Sequence, residues 1–147
     1  LPPINARSLP DDFGETLYNT FMNRQKRILF TGDFLAITVV TVIGFAAHGE
    51  ADLSFLPRML AAFVPLTVTW FLLAPWFGLF QPEIVSKPRQ LWRSVFAMLF
   101  AAPFAALLRG LWLDAPVIPI FAVVFTFTSA LGMLIWRGLY SLLARKK

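Results

Sequence analysis

The stretch ILFTGDFLAITVVTVIGFAAH, residues 28–48, carries one acid, Asp33, and one histidine, His48, and no other ionisable side chain. As a helix rising 1.5 Å per residue it would span about 31 Å, enough to cross a bilayer core of about 30 Å. Such a run in lipid has to satisfy its own backbone N–H and C=O groups, which selects a helix. The alternating pattern of a membrane-barrel strand is missing.

Working outward, three more continuous apolar runs follow, at about 56–80, 91–112 and 117–143. The whole chain of 147 residues is 58% apolar and 14% charged, against about 25% charged in an ordinary soluble domain. Its mean hydropathy is +0.69. The sequence therefore predicts an all-α membrane protein. It is a four-transmembrane-helix bundle over residues 28–147, preceded by an N-terminal arm over residues 1–27.

That arm differs in kind. Ser8-Leu9-Pro10-Asp11 reads as a helix start, and Arg24, Lys26 and Arg27 stand where a helix end favours positive charge. Phe13, Leu17 and Phe21 share one face, beside Tyr18 and Met22. This pattern predicts a short amphipathic helix lying on the membrane surface. The chain opens on Leu1, and its first residues lack a signal-peptide core, so a removed presequence and a start further upstream both fit.

Charge sets the expected orientation. Arg7, Arg24, Lys26, Arg27, Lys87, Arg89, Arg93, Arg137, Arg145, Lys146 and Lys147 fall on the side of the termini and the middle loop, and only Arg58 and Arg109 on the other. The positive-inside rule then expects the termini on the cytoplasmic or stromal side of a multi-pass protein. Because the basic residues cluster between apolar runs, the net charge of +5 reads as topology and not as nucleic-acid binding. On the third span, Ala97, Ala101 and Ala105 form one small-residue row, and Ala102, Ala106 and Gly110 another. Rows of this kind let helices approach closely, which makes the third span the expected centre of the bundle. Pro65, Pro75 and Pro103 fall inside spans and are expected to kink them, with Thr67 and Thr69 available to freed carbonyls.

The chain has no cysteine and a single histidine. That composition excludes thiolate metal sites, disulfides and any multi-histidine metal centre within the chain. No phosphate-binding loop, HExxH or GxSxG motif occurs, so no catalytic residue and no metal ligand is nominated, and an enzyme is not expected.

Charges inside spans are costly and therefore informative. Asp33, Arg93 and Arg137 fall at one level on three spans, and the economical reading is a structural ion pair of Asp33 with Arg137 or Arg93. At the opposite interface stand His48, Glu50, Asp52, Arg58, Arg109 and Asp114, of which Arg58, Arg109 and Asp114 are candidates for further ion pairs. His48 follows Gly44 by four residues. It is the one candidate cofactor ligand, an axial imidazole for a planar pigment such as chlorophyll, or else a helix-end cap bonded to Glu50, Asp52 or a loop carbonyl.

Taken in order, Asp33, Gly44, His48, Arg58, Pro65, Trp70, Arg109, Pro119, Phe121, Val123, Trp136 and Arg137 resemble a family of small membrane proteins of bacteria, cyanobacteria and plastids. The family is known as domain of unknown function 3054. The resemblance covers about residues 32–143. Leu66, Thr69 and Ile135 depart from the family's Phe, Gly and Gly. It implies a four-helix fold, brings no activity with it, and points toward a photosynthetic membrane such as the thylakoid. The functional expectation is a non-catalytic accessory or scaffold subunit of a larger membrane complex. Its partners would be lipids and other subunits, and its 16 Phe and 5 Trp suit chlorophyll or carotenoid contacts. The alternative is a small oligomeric transporter or channel with Asp33, Arg93 and Arg137 on a polar path.

Overall fold

A computed structural model describes residues 11–50 and 52–144. Helix α1 (Asp11–Ala47) is followed by a short 3-10 turn (Leu53–Phe55) and α2 (Leu56–Leu73). A single-turn α3 (Pro82–Val85) and a second 3-10 turn (Pro88–Gln90) then lead into α4 (Trp92–Trp112) and α5 (Pro119–Ala144). Four of these helices, α1, α2, α4 and α5, are long and apolar enough to cross a membrane, and the chain is an integral membrane protein.

The four spans form a closed ring in which α1 neighbours α2 and α5, and α4 neighbours the same two from across the bundle. The closest packing runs along α4, whose Ala97, Ala101, Ala102, Ala105, Ala106 and Gly110 are all buried. Without side-chain bulk on this face, the backbones of α2 and α5 come close enough to gain dispersion contact, which is what holds helices together in lipid. The same approach lets the Thr69 hydroxyl of α2 reach the Ala101 carbonyl of α4 at 3.1 Å.

Burial is inverted relative to a soluble protein. Asp33, Arg137, Ser94, Ser129 and Ser141 are inside, while Leu72, Phe100 and Phe127 are 61–65% exposed. Large apolar side chains directed outward belong against lipid tails.

Helices α1 and α5 mesh by exchange. Gly32 of α1 lies under the Trp136 ring of α5, and Gly132 of α5 lies under Val40 of α1. A Cβ at either glycine would overlap the opposing side chain, so both positions require the missing side chain for close approach.

Three features depart from the expectations above. First, the N-terminal segment is not a separate surface helix. It continues into the first span as one helix of 37 residues, about 55 Å long. The stretch from Glu15 to Thr31 contains neither Pro nor Gly, so nothing breaks the hydrogen-bond ladder at Arg24–Arg27. Residues 14–21 are exposed throughout, beyond the bundle's end. The Ser8-Leu9-Pro10 start lies outside the described residues, as do Arg7, Arg145, Lys146 and Lys147.

Second, the second span ends at Leu73 and not Phe80, so Pro75 follows the helix instead of kinking it. Lacking an N–H, Pro75 cannot extend the ladder. The chain turns on until Gly78, at φ +69°, where the Leu79 amide returns to the Ala74 carbonyl at 3.1 Å. Only a residue at ease in the left-handed region closes such a turn without strain. Third, Thr67 and Thr69 bond the carbonyls of Phe63 and Pro65, each at 2.8 Å, and not the Ala61 carbonyl that Pro65 frees.

Candidate functional site: the Asp33 lock and the opposite end

Asp33 points from α1 into the bundle and is fully buried, as is Arg137 of α5. Arg137 binds it through two nitrogens, Nε to Oδ1 at 2.8 Å and Nη2 to Oδ2. Each carboxylate oxygen receives one further donor: the Trp136 indole N–H reaches Oδ1 at 2.9 Å, and the Trp70 indole N–H reaches Oδ2 at 2.9 Å. A carboxylate offers about four lone-pair sites, and here all are occupied. Arg137 spends its remaining Nη1 on the Leu79 carbonyl at 2.6 Å, and its guanidinium stands 5.7 Å from the Phe80 ring centroid.

This geometry explains how two charges persist in a membrane interior. Two ions taken from water lose several kcal/mol each, and pairing offsets that only when the geometry is bidentate and the leftover donors and acceptors are filled. Both conditions hold. The lock also ties elements far apart in sequence: α1 gives the acid, α2 an indole, the Gly78 turn a carbonyl, and α5 both the cation and the second indole. Phe80 extends it outward into a ring cluster with Phe71 and Phe30, whose centroids lie 4.1–6.2 Å apart.

Arg93 does not join. It stands on the first turn of α4, diagonal to α1 across the ring, and is in no ion pair among the described residues. Its Nε donates to the Gln90 side chain at 2.7 Å and its Nη1 to the Phe77 carbonyl at 3.2 Å, clamping the middle loop to the helix start. The sequence offers a weak sign of the two indole donors: Trp70 and Trp136 lie inside spans, where a tryptophan N–H needs a partner. The Leu79 carbonyl leaves no signal at all, because it depends on where the second span stops.

At the other end, Arg58 approaches Glu50 at 3.9 Å, and both are partly open to the surroundings. Arg109, in the last turn of α4, lies with its guanidinium 4.4 Å over the Phe121 ring. It forms no ion pair among the described residues, and neither does Asp114. Asp114 instead holds a left-handed backbone (φ 47°) that closes the end of α4. His48 is exposed at the end of α1 and makes no side-chain hydrogen bond among the described residues, and a Cβ at Gly44 would meet nothing within 4 Å. The described residues contain no group of three or more His, Cys, Asp or Glu side chains placed to hold a metal ion.

Fold and site together define a class: a small four-span integral membrane protein whose helices are fastened at one end by a saturated, buried Asp–Arg pair. Residues 30–140 match the family described as protein of unknown function (DUF3054), and the chain belongs to that family. No curated protein and no solved structure matches it.

Proposed function

We propose that this chain is a non-catalytic accessory or scaffold subunit of a larger membrane complex. The observation that carries the reading is the saturation of Asp33. A membrane acid that handles protons or cations needs a free lone pair at some stage, and each oxygen of Asp33 is held by two protein donors. Spent this way, the charges fasten helices and leave the outer surface to make contacts. That surface is aromatic, with Phe30, Phe96, Phe100, Phe104 and Phe127 all facing outward, a chemistry suited to lipid tails, carotenoids and chlorin rings.

The finer part of the proposal is a photosynthetic membrane, with the basic end on the cytoplasmic or stromal side and His48 as a candidate pigment ligand above the open Gly44 position. Purification in mild detergent tests it through the absorption spectrum and the co-migrating proteins. Pigment and large partners are the expected result, with His48→Leu removing pigment while the helices remain assembled. A colourless homo-oligomer would overturn the subunit reading. Because the chain has no native cysteine, Ser54→Cys and Lys87→Cys test the orientation. Labelling of both from the same side would sink the four-span topology.

One observation favours a transporter as a second reading. The hydroxyls of Thr41 and Ser129 are buried without hydrogen-bond partners. They lie eight residues beyond Asp33 on α1 and eight before Arg137 on α5, about 12 Å deeper along the bundle. Ion or proton flux in proteoliposomes, abolished by Ser129→Ala without loss of fold, would support that reading over the scaffold.

A further inference from the structure

We infer that Arg58 and Arg109 together form a binding site for a phosphate group at the membrane interface of the end opposite the Asp33 lock. This goes beyond the scaffold reading and does not rest on it.

Arg109 is a guanidinium without a hydrogen-bond acceptor. Its Nε is buried and unpartnered, and no other donor of the side chain finds an acceptor among the described residues. The helix end does not serve it. The carbonyls of Arg109, Gly110 and Leu111 are already engaged by the amides of Leu113, Ala115 and Asp114. The Phe121 face, 4.4 Å away, stabilises the cation but accepts no conventional hydrogen bond.

The surroundings add positive charge. The charged groups acting on Arg109 are Arg58, which repels it, and Glu50, which attracts it. Glu50 is already drawn to Arg58 at 3.9 Å, so the trio keeps one net positive charge. Asp52 and Asp114 are in no ion pair with either arginine among the described residues. Two guanidinium forks brought together at the edge of a bilayer, with a surplus charge and unspent donors, fit a tetrahedral oxyanion. The contrast with Arg137, every nitrogen of which has an acceptor, shows what Arg109 lacks.

The phosphate has two possible sources, a lipid phosphodiester or a free phosphate ion. The test uses the full chain in detergent, with unfolding temperature followed as phosphatidylglycerol, phosphatidylcholine or inorganic phosphate is added, and lipid retention read by native mass spectrometry. Arg109→Gln should raise the half-saturating ligand amount about tenfold, the equivalent of about 1.4 kcal/mol, and Arg58→Gln should act in the same direction. Lys87→Gln, at the far end, should leave it unchanged. Dependence on phosphatidylglycerol alone assigns the site to a headgroup. The same variant dependence with inorganic phosphate assigns it to the free ion. Equal stabilisation of the parent chain and both arginine variants by every addition, or no stabilisation at all, would overturn the site. Arg58 is exposed at its surface, so Arg58→Gln keeps the test open if Arg109→Gln does not fold.

Discussion

Arg137 and Arg109 are the same residue type, each within a membrane helix, at opposite ends of one bundle, and their circumstances differ completely. Arg137 is 1% exposed and directs its donors onto Asp33 and the Leu79 carbonyl. Arg109 rests on a phenylalanine ring with its Nε unpartnered. The first is a fastening, whose value depends on every partner remaining. The second contributes little to the bundle's own cohesion and keeps its hydrogen-bonding capacity for something outside it. An arginine in a span therefore has no fixed meaning. Its meaning comes from whether the fold fills its donors.

The largest expected effect lies at the fastened end. Asp33→Asn leaves Arg137 charged and under-partnered in a dry interior, and should cost about 3–5 kcal/mol, read as a fall in unfolding temperature or yield. Adding Arg137→Gln should recover part of that loss, because no buried charge then remains. A mild Asp33→Asn, no worse than Arg109→Gln, would erase the contrast between the two ends.

Smaller but still clear is the loss of one donor. Trp70→Phe keeps the aromatic bulk but removes a hydrogen bond to a charged acceptor, for about 1.5–3 kcal/mol by thermal unfolding. An unchanged midpoint would mean that solvent replaces the indole and that the site is wetter than the geometry indicates.

Gly32→Ala follows. Its Cβ would overlap the Trp136 ring, displacing an indole that also serves Asp33, with an expected cost of about 1–3 kcal/mol. Gly44→Ala, on the same helix but in open space, is the control. It should be neutral, or stabilising by about 0.5–1 kcal/mol through helix propensity. Equal losses at both would show that helix-wide effects outweigh the local fit.

The smallest effect belongs to the open end. Arg109→Gln in detergent free of added phosphate and anionic lipid should change stability by no more than about 0.5 kcal/mol, since no hydrogen bond is lost. A loss comparable to that of Asp33→Asn would mean that Arg109 has an internal role after all.

Much of this was legible in the residues, for reasons that differ by feature. The small-residue rows of α4 predicted its central place, because the absence of side-chain volume is a property of the helix face itself. The pairing of Asp33 was legible only as a choice between two arginines at equal depth. Depth follows from counting residues along a helix, whereas the partner depends on which helices are neighbours. The separate surface helix and the kink at Pro75 were misjudged where the outcome turns on continuity. Charge at Arg24–Arg27 does not end a helix that has no breaker, and a proline near a span's end stops it instead of bending it.

The sequence by itself determined that four apolar segments cross a membrane as helices, since backbone groups in lipid must be satisfied within each segment and that requirement is local. It also determined that one acid and few cations lie within those segments. Only the tertiary structure decided what the charges do. The ring order of the helices puts Arg137 on Asp33 and leaves Arg93 across the bundle. The stop at Gly78 turns the Leu79 carbonyl toward Arg137, and close approach at Gly32 brings the Trp136 indole within reach. These are distances between residues about 37 to 104 positions apart, set by packing, and no local pattern of residues encodes them.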